Sequence, residues 1–196
     1  MRFSPLLISN LIIQPLRYFF SYYSNPEITN LKYDNDEKIS TMEISVLNDF
    51  NKVALQLKPR ILVSRGTFII DKTGISNNLA MGKTMTETKG LQDDINMVLF
   101  RGQATILIEA RNEGVVELMT DMVSHFLTWS VPYICNTQGF KDFGLPMTIS
   151  EPTPAKEDKD IFQVHVNLPY SYEEQWHVNN DALKLREFYM NLIKAD

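Results

Sequence analysis

A chain of 196 residues with 44% apolar and 22% charged residues can bury the core of one main domain and is too apolar to stay disordered. Its 19 Lys and Arg against 24 Asp and Glu give a net charge of -5 with no basic run, which argues against sequence-independent nucleic-acid binding. An acidic wall can still border DNA usefully, because it repels the phosphate backbone and lets it slide.

The chain opens with "SPLLISNLIIQPLRYFFSYY". Polar Ser9, Asn10 and Gln14, Arg17 inside the apolar run, and the lack of a small-residue cleavage site argue against a signal peptide. The run also falls short of the roughly 18 uninterrupted apolar residues of a membrane span. It reads as a helical arm with a broad apolar face, broken or restarted at Pro15, buried against the domain or a partner subunit. The arm and a turn-rich linker, with Asn25-Pro26 and Asp34-Asn35-Asp36 as breakers, occupy residues 1–40.

A domain over 41–178 follows. Met42, Ile44 and Val46 alternate with polar residues as in a half-buried strand. "KPRILVSRGTFIID" carries Ile61 and Val63 and then, after a break or bulge at Gly66, Phe68 and Ile70. From Asp71 to Asp94 three glycines among Thr, Asn and Lys predict a long loop or exposed hairpin, a length usually tied to function or to a partner. The next strand places Ala104, Ile106, Ile108 and Ala110 on one face. Val115, Leu118, Met119, Met122, Val123, Phe126 and Leu127 then recur at helical spacing, with Asn112 as N-cap, and Pro132 is expected to stop that helix. A loop-rich passage with one short strand near 147–149 leads to a strand in which Phe162, Val164, Val166 and Leu168 face one way, ending at Leu168-Pro169. Residues 179–196 return to helical spacing. The fold class expected is α+β: a mostly antiparallel sheet packed against one long helix, with the N-terminal arm, a long loop or hairpin and a C-terminal helix.

Candidate chemistry is sparse. Cys135, the only cysteine, excludes an internal disulfide and a Cys-based zinc site within one chain, fits a reducing cytoplasm, and reads as a small buried hydrophobe. Glu173 and Glu174 precede His177, but E-E-x-x-H matches no zinc motif, and adjacent strand residues point to opposite faces, so the two carboxylates do not converge. His125, inside the helix, reads as a satisfied or partly buried core histidine. Gly82-Lys83-Thr84 resembles the end of a phosphate-binding loop, yet the preceding glycine is Gly74, so the full motif fails. No catalytic, cofactor-binding or metal-binding residue is expected.

Three passages, "KPRILVSRGTFII", "FRGQATILIEARNEGVVELMTDMVSHFL" and "GFKDFGLPMTISEP" followed by "FQVHVNLPYSYEEQW", resemble the tail terminator (tail completion) family of tailed-bacteriophage neck proteins. The resemblance covers about residues 40 to 178. It implies a virion protein, assembled in the host cytoplasm as a homo-hexameric ring that caps the tail tube. Its partners would be the tail tube protein, a head-completion (stopper) protein and, in a contractile tail, sheath or collar. Genomic DNA would pass through the lumen without sequence-specific binding, and no membrane is involved. Interface residues expected on this reading are Arg60, Arg65, Lys83, Glu109, Arg111, Tyr170, Tyr172 and Trp176; the four Arg and Glu residues among them are candidates for intersubunit ion pairs or plain surface charges. The arm and the C-terminal helix depart from a minimal terminator and leave room for a stopper or adaptor ring. Two readings of other classes stand beside it: a small enzyme with His125 or His165 as base under the 71–94 loop, and a monomeric module gripping a peptide along a sheet edge.

Overall fold

The computed structural model describes residues 8–22, 31–47, 58–71, 94–156 and 158–178. Most of the expected long loop, with Lys83, and the whole expected C-terminal helix lie outside these residues. The elements in order are α1 (Ile8–Tyr22), β1 (Glu43–Val46), β2 (Arg60–Asp71), β3 (Asp94–Ala110), α2 (Glu113–Gln138), β4 (Phe140–Phe143), β5 (Thr148–Ile149), β6 (Thr153–Pro154) and β7 (Phe162–Val178). The chain divides into two compact units, Met1–Ile69 with Arg101–Tyr172, and Ile70–Phe100 with Glu173–Asp196. The first holds both helices and most of the sheet. The second holds the start of β3 and the end of β7.

The protein is α+β. Its described strands form a mostly antiparallel sheet in the order β1-β2-β3-β7-β4, with β5 and β6 also pairing with β7 and β1 parallel to β2. β4, β5 and β6 follow one another along a single edge of β7, so they act as one interrupted strand. The sequence pattern suggests only the middle piece; Gly144, at φ +75°, and Pro146 and Pro152 cut the run into short pieces.

Side-chain alternation fixes which face is core. Ala104, Ile106, Ile108 and Ala110 of β3 and Val164, Val166 and Leu168 of β7 are all buried, as their spacing predicts. On the other face Thr105 donates to the Asn167 side chain at 2.9 Å, a cross-strand pair that locks the β3–β7 register.

Three prolines and a glycine were expected to interrupt elements and do not. α1 runs through Pro15 because Ile8, Ile12, Leu16 and Phe20, spaced four apart on both sides of it, are all fully buried. At about 1.5–3 kcal/mol per buried aliphatic or aromatic side chain, this stripe outweighs the ~3 kcal/mol cost of an interior proline. α2 runs through Pro132 to Gln138. The carbonyl that loses its partner belongs to Thr128, which is exposed and open to water, while Ile134 beyond the proline is buried. The helix ends instead at Gly139 (φ 74°, ψ 25°), whose N–H caps the Cys135 carbonyl; at its other end the Asn112 side chain accepts from Gly114 N–H at 2.9 Å. β7 likewise passes through Pro169. The Pro169 carbonyl accepts from Gly144, so the missing N–H would also face the edge where β4 has just ended.

β2 continues through Gly66 as well, for a packing reason. A Cβ there would lie 2.6 Å from the Gln103 carbonyl oxygen on β3. Gly66→Val is therefore expected to lower stability by about 1–3 kcal/mol, measured as a drop in the urea midpoint. A midpoint equal to that of the unsubstituted protein would show that β2 and β3 do not approach this closely.

Candidate functional site: surfaces available for assembly

The cross-strand pair expected at an interface lies inside the chain. Arg60 on β2 and Glu109 on β3 face each other, and the Arg60 Nε donates to the Glu109 carboxylate; their side chains are only 12% and 7% exposed. A pair this buried is costly to break from one side, because it leaves the other charge in the interior. Arg65, on the same strand, is exposed and lies 5.2 Å over the Phe68 ring, and Arg111 is exposed beyond the end of β3.

Tyr170 and Tyr172 are each 3% exposed and so are not free to meet a partner. Their rings meet Phe140 edge-on, at 6.3 and 5.9 Å, and Phe140 packs against Phe143. The Tyr170 ring also covers Gly102, where an added Cβ would come within 2.4 Å of the phenol. Burial raises the Tyr170 phenol pKa, and Arg65 partly offsets this. A raised pKa for this acid means the fold favours the neutral phenol, so its contribution to stability is complete below the ordinary phenol range and declines as pH rises above it. Trp176 lies on β7, but its side chain falls outside the described residues, as does all of Lys83.

Two of the three histidines fall among residues whose contacts are described. His125 is exposed, with Nδ1 at 3.0 Å from the Asp121 carbonyl and 3.1 Å from its carboxylate; it is satisfied, as expected, but sits on the solvent face rather than in the core. The main-chain N–H of His165 donates to Ser150 Oγ at 2.9 Å, which ties β7 to β5. Cys135 is half-buried rather than fully buried, and its thiol pKa is pushed up by burial first and by Asp142 second, which keeps it protonated. Among the described residues no group of three or more His, Cys, Asp or Glu could hold a metal ion. No helix among them is long and apolar enough to cross a membrane.

The exposed aromatic residues are what the sequence pattern did not place. Trp129 and Tyr133 on α2 are 78% and 71% exposed, and with His125 they stand four residues apart along the helix. From Met122 to Phe140 the chain carries no Asp, Glu, Lys or Arg. On α1, Tyr18 and Tyr22 are also largely exposed, with ring centroids 4.5 Å apart, while Phe19 stacks on Phe126 of α2 at 4.7 Å. An exposed helix face that is rich in aromatics and free of charge has the composition of an interface core rather than of ordinary surface. The signal was present in the sequence as that uncharged run, but ending the helix at Pro132 divided it.

Glu109→Ala is expected to cost about 3–5 kcal/mol of folding stability by removing the carboxylate that Arg60 meets in the interior. The measurement is a denaturation curve alongside the mass in solution. A change in mass with no change in midpoint would place the pair between subunits instead. No protein-family model matches this chain, and no curated protein matches it either.

Proposed function

We propose that this chain is a virion structural protein of a tailed phage, a subunit of a ring at the head–tail junction that terminates the tail tube and joins it to the neck. The observation that carries the proposal is the uncharged aromatic face of α2, with Trp129 and Tyr133 exposed. A monomer has no use for such a face, whereas a ring subunit needs two different complementary surfaces, one for each neighbour. The chain order adds support. The P-R-I-x-V-x-R-G strand, the Ala-Arg-Asn step into a long helix and the closing aromatic strand that carry the resemblance correspond to β2, the β3–α2 junction and β7.

In this role the residues act by position rather than by chemistry. The buried Arg60–Glu109 pair and the aromatic cluster around Phe140 make the subunit stiff, and the exposed aromatics bind its neighbours or the tail tube and stopper proteins. The net charge of -5 suits a channel through which DNA slides without being held.

The test is the mass of the purified protein by light scattering over a range of concentrations, with negative-stain images of the large species. Rings of about six subunits are expected. Trp129→Asp combined with Tyr133→Asp should weaken association by ~30-fold or more, the effect of losing roughly 2 kcal/mol at an interface centre, and leave the melting temperature of the subunit nearly unchanged. A chain that remains monomeric at every concentration would overturn the proposal that it closes a ring by itself.

A further inference from the structure

The solvent side of α2 carries one continuous ridge. Glu113, Glu117, Asp121, His125, Trp129 and Tyr133 follow one another every four residues, and all six are exposed. Residues four apart are neighbours on a helix surface, about 5–6 Å from one another. Because α2 stays helical through Pro132, Tyr133 remains on this ridge. The order along it is sorted by chemistry. Three carboxylates, which only accept hydrogen bonds, come first; after His125 come an indole N–H, which only donates, and a phenol O–H, which can donate. Asp121 and Trp129 stand equally far from His125, and so do Glu117 and Tyr133. Reversed end to end about His125, the ridge is its own complement.

The demands of a lone helix do not account for this order. The helix dipole favours a carboxylate in the first turn, which covers Glu113; Glu117 and Asp121 lie beyond it, and like charges four residues apart repel each other. The geometry suits a second helix. At about 100° per residue the ridge winds slowly, so Asp121, His125 and Trp129 share a face about 80° wide, and the long side chains of Glu117 and Tyr133 flank it. Ridges of this spacing pack against each other when two helices cross at about 50°. The charge of the chain selects the direction. Every copy carries a net charge of -5, and parallel helices would set carboxylates against carboxylates. Antiparallel helices set the acidic half of each copy beside the aromatic half of the other.

We propose that two copies of the free protein pair through α2, antiparallel about a two-fold axis beside His125. Asp121 of each copy meets Trp129 of the other, and Glu117 meets Tyr133, so that each ring both covers apolar surface and donates to a carboxylate. The contact is self-complementary, as a two-fold interface requires. The inference goes beyond the ring reading and does not rest on it, because a two-fold pair is not repeated around a head-to-tail ring. It covers the same Trp129 and Tyr133 that would face a neighbour there. The pair is thus a form that shields the aromatic face in the free protein and has to part before that face serves a ring.

The deciding experiment is complementation between two variants, each checked for folding by circular dichroism and melting temperature. Trp129→Asp with Tyr133→Asp sets carboxylate against carboxylate across the pair, so this form alone should associate ~30-fold or more weakly. Glu117→Lys with Asp121→Lys leaves both aromatic rings in place and puts ammonium groups where the new carboxylates arrive. Mixed in equal amounts, the two should form a one-to-one dimer within about tenfold of the unsubstituted affinity, read by sedimentation velocity and native mass spectrometry. A second measurement needs no variant: acrylamide quenching of tryptophan emission should rise as the unsubstituted dimer is diluted and Trp129 is uncovered. No mixed dimer from two folded variants, or quenching that does not change as the dimer parts, would overturn the pair and leave the ring reading standing. An unsubstituted protein that stops at two copies at every concentration would support the pair and sink the ring. One that stays monomeric throughout would overturn both.

Discussion

The structure depends on one register, that of β3 against β7. Thr105 and Asn167 meet side chain to side chain on one face, which turns Ala104, Ile106 and Ile108 together with Val166 and Leu168 to the other. A slip of one residue would expose this whole apolar set and bury its polar neighbours, so the alternation in sequence and the pairing in space enforce each other. The Arg60–Glu109 pair extends the constraint to β2, since a buried cation finds its anion in only one alignment of the two strands.

Among the described residues the fixed sheet leaves two edges, and the chain treats them differently. The β4–β5–β6 edge is broken by Gly144 and by three prolines, which deprive a passing strand of donors. At the β1 edge a side chain from another element does the work: Arg17 crosses from α1 to hold the Ile44 carbonyl. Arg17 also packs 5.3 Å from the Tyr33 ring, so α1, β1 and the segment between them are tied at one residue. That explains how a charged residue can interrupt the apolar stripe of α1. It is not part of the buried apolar stripe as Ile12 and Leu16 are; it closes an acceptor.

The parts of the fold that were legible in the sequence are those where burial imposes a period. β3, β7 and the first two-thirds of α2 belong here, and so does the mostly antiparallel α+β class. Tyr170 and Tyr172 were legible too, because they continue the even-numbered series from Phe162 to Leu168; reading Pro169 as the end of the strand assigned them to a surface. The same error shortened α2 at Pro132 and divided α1 at Pro15. In all three places a proline's local cost was set against nothing, whereas in the folded chain it is set against a row of buried side chains or falls where the lost hydrogen bond faces water or a strand end. The Arg60–Glu109 pair could be read as a pair, but two strands of one chain and two strands of neighbouring chains give the same sequence pattern, so its place inside the subunit could not.

The exposed aromatic face of α2 bears on the proposed role through what it lacks. A charged face would make association depend on salt and would repel an identical acidic subunit, since every copy carries the same excess of carboxylates. Trp129 and Tyr133, exposed in the subunit, would avoid this in the proposed ring: they would supply contact area by hydrophobic burial, which salt does not screen, and a ring of acidic subunits needs attraction of that kind to offset its own repulsion. In the proposed ring the charge would then be free to serve the channel, where repulsion between wall and phosphate is useful, while cohesion would be left to uncharged rings. Separating the two tasks in this way would let one subunit of the proposed ring be both a strong joint and a slippery lining.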